Sequence, residues 1–136
     1  MIDLTTWEQF KDQVQRGGFA LRDLLGMDRW ETWTPVRTRW TDVGTPTVTG
    51  RWHSIVRETK IQVKVVPGTT VATTAGTSYI ALPRPAVGLC GDGSMMNITT
   101  LIGVGDCAID VTNSRIYVPA QLATGNTLTI AAWYES

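Results

Sequence analysis

The sequence has few of the side chains on which most catalytic and metal sites depend. Histidine occurs once, at His53, and cysteine twice, at Cys90 and Cys107. Together they would supply three zinc ligands, but they lack CxxC or HxxxH spacing, so we expect no metal and no cofactor. Two cysteines are too few for a disulfide framework. A single disulfide between them stays open, although a reducing cytosol argues against it.

Net charge and long apolar runs are also missing. Twelve Lys and Arg residues balance twelve Asp and Glu residues, which removes the electrostatic case for binding nucleic acid or an anionic membrane. No apolar run approaches the length of a bilayer span. The sequence begins MIDLTTWEQF, without the basic and apolar regions of a signal peptide, so we expect synthesis in the cytoplasm.

No residue set has the spacing of a catalytic or ligand-binding motif. Cys90 lies in GLCGDGS, which we predict to be a loop, and no third group stands out to orient a Cys-His pair. GDGS and GVGDC lack the ligand pattern of a calcium loop, and PGTTVATTAGTS lacks the ending of a phosphate-binding loop. No pair of carboxylates is distinguished for glycoside cleavage. We therefore predict that the protein is not an enzyme.

Charge is concentrated in the first half of the chain. Residues 67–136 hold only six charged side chains, and threonine, glycine and alanine take their place. A soluble monomer normally carries a denser coat of charge, whereas the cores of interfaces are depleted of it. We infer that neighbouring subunits cover much of the surface of the second half.

The first thirty residues have a helical pattern. Thr5 and Glu8 have the spacing of a capping box, and apolar residues follow at intervals of three and four. An unbroken series would form a coiled-coil seam, but Gly17 and Gly18 interrupt it, so two short amphipathic helices are favoured. We predict that residues 1–30 form a helical arm for attachment or oligomerisation, with the interface side chains Trp7, Phe10, Val14, Leu21, Leu24 and Leu25.

From residue 33 the pattern has a period of two, which is typical of strands with one buried face. Ile55–Val66 is predicted to be one long strand that turns Ile55, Ile61, Val63 and Val65 to the core. VPGTT then forms a turn in which Pro67 and Gly68 have the positions of type II geometry.

Further strands are predicted on both sides of this one. TSYIALP is a strand that ends at Pro83, and VTNSRIYVP is a hairpin that turns at Asn113 and Ser114. The other predicted strands are 33–40, 46–52, Ile98–Val104, Cys107–Val111 and a last one in which Leu128, Ile130, Ala132 and Tyr134 share a face. About eight short strands predict a mainly β domain over residues 31–136, an antiparallel β-sandwich or jelly roll.

Three of the six tryptophans, Trp33, Trp40 and Trp52, lie close together at the start of this domain. In an exposed row they would form a platform on which sugar rings stack. Buried, they would fill the junction between the arm and the β domain, or a subunit interface. We favour packing, because large aromatic side chains dominate the energetics of cores and interfaces.

The stretch from WTPVRTRW to YIALP resembles the β-sandwich domains of bacteriophage tail, fibre and other virion proteins. The resemblance is carried by Pro46-Thr47, Gly50-Arg51-Trp52, the alternating strand Ile55–Val66, the Thr- and Gly-rich turn Gly68–Thr77, and Leu82-Pro83. The ending is also similar, in SRIYVP and Ile130–Tyr134, with Ser114 where a glycine is usual. It covers about residues 33–136 and implies homotrimers with a non-enzymatic role on the particle.

Two classes of function remain open. The first is a virion structural protein made in the bacterial host cytoplasm, whose arm contacts other virion proteins. Capsid decoration is favoured over a tail-tip role in host attachment, because the chain has no fibre shaft. The second is a carbohydrate-binding module that uses Trp33, Trp40 and Trp52 to bind a host-surface glycan. In either class we expect a homo-oligomer, most simply a trimer, with neither nucleic acid nor membrane as a partner.

Overall fold

Two antiparallel sheets contain the strands of the computed structural model, which describes residues 30–88 and 90–136. The twelve strands are β1 (Glu31–Trp33), β2 (Arg37–Thr38), β3 (Thr41–Val43), β4 (Thr47–Ile55), β5 (Glu58–Val66), β6 (Thr70–Thr73), β7 (Tyr79–Ala81), β8 (Gly91–Asn97), β9 (Ile102–Asp110), β10 (Arg115–Tyr117), β11 (Gln121–Thr124) and β12 (Leu128–Glu135). The predicted mainly β, antiparallel class is confirmed, with more strands than the eight or so expected. The predicted helical arm and its six interface residues lie outside the described residues.

The larger sheet has nine strands in the order β1-β4-β5-β12-β8-β9-β10-β7-β2, and the smaller has the order β11-β6-β3. The last strand in sequence, β12, therefore lies in the interior of the larger sheet. It pairs with β5 along its whole length, from Leu128 opposite Val65 to Glu135 opposite Glu58. On its other edge it pairs with β8.

Strict alternation on β5 and β12 builds one side of the core. Ile61, Val63 and Val65 are buried while Lys60, Gln62 and Lys64 are exposed. The predicted common face of the last strand is confirmed, because its four members are the buried residues of β12: Leu128, Ile130, Ala132 and Tyr134. Burial of each large aliphatic side chain contributes roughly 1.5–3 kcal/mol, so this pair of strands supplies much of the hydrophobic stabilisation.

Residues from the far end of the nine-stranded sheet close the other side of the core. Ile80 of β7 and Ile116 of β10 are fully buried, together with Val71 of β6 in the smaller sheet. They belong to the same cluster as the buried residues of β5 and β12. One sheet contributes to both sides of the core because it is strongly curled.

The buried polar groups of this core have hydrogen-bond partners. The Tyr134 hydroxyl donates to Arg84 O at 2.8 Å and accepts from Arg84 N at 3.2 Å. Ser78, which is also fully buried, donates to Arg39 O at 2.7 Å and accepts from Thr74 N at 2.8 Å. Satisfied groups of this kind avoid the penalty of about 1–3 kcal/mol for a buried polar atom left alone.

The prediction of a single strand Ile55–Val66 is wrong at its beginning. β4 ends at Ile55, β5 begins at Glu58, and Val56 and Arg57 form a two-residue turn between them. Ile55 is exposed and does not face the core. The turn escapes sequence analysis because Val56 has a φ of 57°, a conformation that β-branched residues rarely adopt.

The predicted strand 33–40 is divided into the short strands β1 and β2. Pro35, which is buried, follows β1, and Arg39 after β2 has a φ of 60°. A proline lacks the N–H that a ladder needs, and a left-handed residue reverses the chain. By contrast, TPTVTGRW is an extended strand as predicted, since β4 begins at Thr47 directly after Pro46.

Strand boundaries between residues 90 and 111 also differ from the predictions. The GDGS segment, predicted to be a loop, is the beginning of β8. The predicted strand Ile98–Val104 is wrong because a turn occupies 98–101, and β9 then runs unbroken to Asp110. Asn97 fixes this turn, since its Oδ1 accepts hydrogen bonds from the N–H groups of Thr99 and Thr100, each at 3.1 Å.

The turn at Pro67 and Gly68 exists but does not have the predicted type II geometry. Among the described residues, the glycines with a positive φ are Gly44, Gly76 and Gly105, so Gly68 is not in the left-handed region. Glycine is needed there for space instead. A Cβ on Gly68 would lie 2.3 Å from Thr45 N, which no packing adjustment can absorb without moving backbone.

The hairpin predicted around Asn113 and Ser114 exists, but its loop is longer than the tight turn expected there. β9 and β10 pair from Asp110 opposite Arg115, which leaves a four-residue loop. Ser114 has a φ of 52°, in the left-handed region that glycine adopts most readily. Its hydroxyl oxygen accepts a hydrogen bond from Ala86 N at 3.0 Å, an interaction that glycine would lose.

The strained turn at Val56 gives a test of the β4–β5 hairpin. Replacing a left-handed β-branched residue with asparagine, which tolerates that conformation, removes roughly 1–2 kcal/mol of strain. Val56 is 93% exposed, so little packing is lost. We expect Val56→Asn to raise the free energy of unfolding in urea by about 1 kcal/mol. Val87→Asn, at an exposed valine without a positive φ, is the matched control and should give no gain.

Candidate functional site

A groove crosses the face of the larger sheet that points away from the core. We call it the outer groove and define it by two adjoining cavities that share Ala131 of β12. The first, of about 530 Å³, is lined on β4 and β5 by Arg51, Gln62 and Lys64, among others. The second, of about 300 Å³, is lined by Lys60, Asp92, Ser94, Asp106 and Trp133. The groove thus combines small residues at its centre with polar and charged side chains around them.

Trp133 is the aromatic side chain of this groove. It is 37% exposed, and its register places it between Lys60 of β5 and Asp92 of β8. The sequence carried a signal for it. If Leu128, Ile130, Ala132 and Tyr134 share the buried face, then Trp133 must point to the opposite one.

Opposite charges lie on the two sides of β12. Arg51, Lys60 and Lys64 come from β4 and β5, whereas Asp92 and Asp106 come from β8 and β9. Arg51 Nε donates to Gln62 Oε1 at 2.7 Å, which fixes both side chains. Lys60 Nζ lies 3.8 Å from Glu58 Oε1 with both side chains about half exposed, so this ion pair contributes little.

The tryptophans singled out from the sequence lie elsewhere. Trp33, Trp40 and Trp52 are half-buried and pack against the core cluster. Trp40 Nε1 donates to Tyr79 O at 3.3 Å. A Cβ on Gly50 would lie 2.7 Å from the Trp33 ring, so the glycine of the Gly50-Arg51-Trp52 step makes room for this packing. The structure does not bring the three rings together as an exposed row.

The three candidate zinc ligands are also kept apart. His53 of β4 and Cys107 of β9 are separated by four strand spacings of about 4.8 Å each along the sheet. Cys107 lies opposite Gly93, and Cys90 precedes Gly93 by three residues, about 10 Å along an extended chain. Both cysteines are free thiols. Among residues 30–88 and 90–136, no three His, Cys, Asp or Glu side chains are grouped so as to hold a metal.

The environment of His53 lowers its pKa below the usual value. Partial burial is the larger cause, and the nearby charge of Lys60, its cross-strand neighbour, adds to it. Lowering favours the neutral imidazole at pH 7.

Asp110 is the last residue of β9, where the hairpin loop begins. Its Oδ1 accepts from Asn113 N at 3.2 Å and its Oδ2 from Asn113 Nδ2 at 2.9 Å. These hydrogen bonds lower the pKa of its carboxyl. Asp110 therefore stabilises a turn, whereas Asp106 on the same strand faces the outer groove.

Apolar side chains are exposed at several turns and edges. Leu122 of β11 is 87% exposed, Leu101 78% and Ile102 65%. Leu101 also has a φ of 60°, so it combines an unfavourable backbone conformation with an unburied side chain. Strain of this kind persists at functional sites more often than elsewhere.

Comparison with known proteins gives no relative: no family model, no curated protein and no solved structure matches the chain. In the part of the chain that the structure describes, no helix is long and apolar enough to cross a membrane.

The two cysteines should differ sharply in reactivity. The pKa of the Cys107 thiol is raised to about 12. Burial is the largest cause, and the negative charges of Asp106 and Asp92 contribute the rest. Cys90 is exposed. Because the thiolate is the reactive form, a disulfide-exchange reagent at pH 8 should label one thiol per native chain and two after denaturation. Cys90→Ser should leave the native protein unlabelled, and rapid labelling of that variant would contradict the burial of Cys107.

Cys107 also sets a pH dependence of stability. A thiol whose pKa is raised on folding holds its proton more tightly in the folded state than in the unfolded state. Its contribution to the free energy of unfolding is therefore complete below the unfolded-state pKa and is lost as the pH rises toward 12. We expect the free energy of unfolding to fall above about pH 9. In Cys107→Ala this fall should be smaller, as measured by urea titrations across that range.

Proposed function

We propose that the chain is a structural protein of a bacteriophage particle, a small homo-oligomeric module with a β-sandwich or jelly-roll body. Capsid decoration is favoured over a tail-tip or fibre role in host attachment. The assignment to a phage particle rests on the resemblance of residues 33–136 to virion domains. The observation that carries the homo-oligomer is the exposure of apolar side chains on a surface with few charges. Leu101, Ile102 and Leu122 all lie in the charge-poor half, where residues 67–136 hold six charged side chains.

Exposed leucines of this kind are explained if another copy covers them. Stable interfaces bury about 1,200–2,000 Å² in total and are depleted of charge at their centres. Two hydrogen bonds connect the turn that holds Leu101 to the segment before β12: Ile98 N donates to Thr127 O at 3.0 Å, and Thr127 N donates to Thr99 Oγ1 at 3.1 Å. A fixed apolar turn is a suitable anchor for a subunit contact. The trimeric state comes from the resemblance to virion proteins.

Leu101→Asn separates stability from assembly. Asparagine tolerates the left-handed conformation, so we expect the unfolding free energy of the subunit to rise by about 1 kcal/mol, while the oligomer dissociates more readily. Light scattering on the unaltered protein should give roughly three times the chain mass of 14.9 kDa. Thr100→Asn, next to it on the same turn, is the control and should change neither quantity.

A monomer at micromolar concentration in light scattering would refute the oligomer. If Leu101→Asn instead leaves the mass unchanged while Leu122→Asn lowers it, the contact is centred on β11. Leu122 does not have a positive φ, so its replacement should weaken assembly without any gain in stability.

Attachment to the particle is proposed to depend on residues 1–30, through Trp7, Phe10, Val14, Leu21, Leu24 and Leu25. Glu31–Ser136 forms a compact unit of its own. We expect deletion of residues 1–26 to leave a folded β domain by circular dichroism that no longer binds particles. Gold-labelled protein mixed with purified capsids and tails and viewed by electron microscopy would distinguish the capsid from the tail. An unfolded truncated protein would show that the deleted segment belongs to the core.

A second candidate function is carbohydrate binding. The outer groove favours it, because it joins an exposed aromatic ring to polar side chains in one concave surface.

A further inference from the structure

We propose that the outer groove binds an acidic oligosaccharide, one ring of which stacks on Trp133. The inference concerns residues that a single chain supplies and does not require the assignment to a virus particle. It replaces the three tryptophans suggested by the sequence with a different one.

Trp133 is placed as a binding anchor. It lies on β12, whose backbone is paired on both sides, with β5 and with β8. A side chain on such a strand is held more firmly than one on a loop. Its ring lines the second cavity and is 37% exposed. An indole offers an apolar face and one N–H donor, which suits a sugar ring with C–H groups on one face and hydroxyls at its edge.

Acceptors for sugar hydroxyls surround this ring. Asp92 lies directly opposite Trp133, and Ser94 lies opposite Asp106 on the neighbouring strand. Asp92 Oδ1 accepts from Gly93 N at 2.8 Å, which orients the carboxylate. A carboxylate has about four acceptor positions, so Asp92 keeps the capacity to accept from a hydroxyl.

The side of the groove that β4 and β5 supply is basic. Lys60 borders Trp133 on the side of β5, and Arg51 and Lys64 line the first cavity. A ligand that extends from Trp133 along the groove would therefore meet three cationic side chains. A carboxylate on its second or third sugar unit would be attracted by them, which is why the proposal specifies an acidic oligosaccharide.

A protein partner fits this surface less well. The centres of protein interfaces are depleted of charged residues, whereas Lys60, Asp92 and Asp106 line the cavity that contains Trp133. Apolar side chains suited to a subunit contact are located elsewhere, at Leu101 and Leu122.

The test is a glycan array of neutral and uronate-bearing bacterial polysaccharide fragments, probed with the intact protein. We expect binding to uronate-bearing fragments that weakens as the ionic strength rises, because salt screens exposed charges. Trp133→Ala should weaken binding about tenfold or more, and Trp133→Phe should retain part of it. Met96→Ala is the matched control, since Met96 is an exposed apolar residue of β8 that lines neither cavity.

Lys64→Gln keeps the proposal testable if Trp133→Ala does not fold. Lys64 is exposed on β5 and lines the first cavity, so its replacement should leave the fold intact and weaken the binding of acidic fragments more than that of neutral ones. Absence of binding on the whole array would overturn the proposal. An equal loss of glycan binding in Met96→Ala would also overturn it. So would a Trp133→Ala variant that no longer attaches to particles but still binds glycan, because the groove would then be a protein contact. Light scattering of the same variants reports separately on assembly.

Discussion

The pairing of β5 with β12 is the interaction on which the rest of the described structure depends. It joins the hairpin of β4 and β5 to the strands β8 and β9. Its inward side chains, such as Val63 and Ile130, lie at the centre of the core. Its outward side chains, Lys60, Lys64 and Trp133, belong to the outer groove. Since side chains alternate strictly on a strand, a slip of one residue in this register would expose the core and bury the groove together.

The parts of the fold that could be predicted from the sequence are those in which period two is uninterrupted. Two strands show this alternation clearly: β12, and β5 from its second residue onward. For both, the sequence correctly predicts which side chains are buried. Strand boundaries are predicted wrongly where the backbone adopts a conformation that is rare for the residue type at that position. Val56, Arg39 and Leu101 have positive φ without being glycine or asparagine. At Gly68 the residue type is misleading in the opposite way. The Pro-Gly pair suggests a type II turn, but glycine is required there because the backbone at Thr45 approaches it closely.

The candidate site was harder to predict than the fold. Trp33, Trp40 and Trp52 stand out in the sequence because they are clustered along the chain. In the structure all three pack against the core cluster, and Gly50 makes room for the Trp33 ring. Trp133 stands apart from the other tryptophans in sequence, and its neighbours Lys60 and Asp92 come from strands distant in the chain. Such a site is defined by strand order. Strand order could not be deduced here, because β12 pairs with β5 and β8 across long intervening segments.

The position of β12 has a consequence for how the protein folds during synthesis. The strand that joins β5 to β8 is the last of the twelve to be made, so both partners leave the ribosome with one edge open. Long-range pairing of this kind is slow, since a large loop must close before any contact forms. Exposed edges bind other strands readily. Nascent chains synthesised close together on one messenger would therefore be prone to exchange β12 with one another.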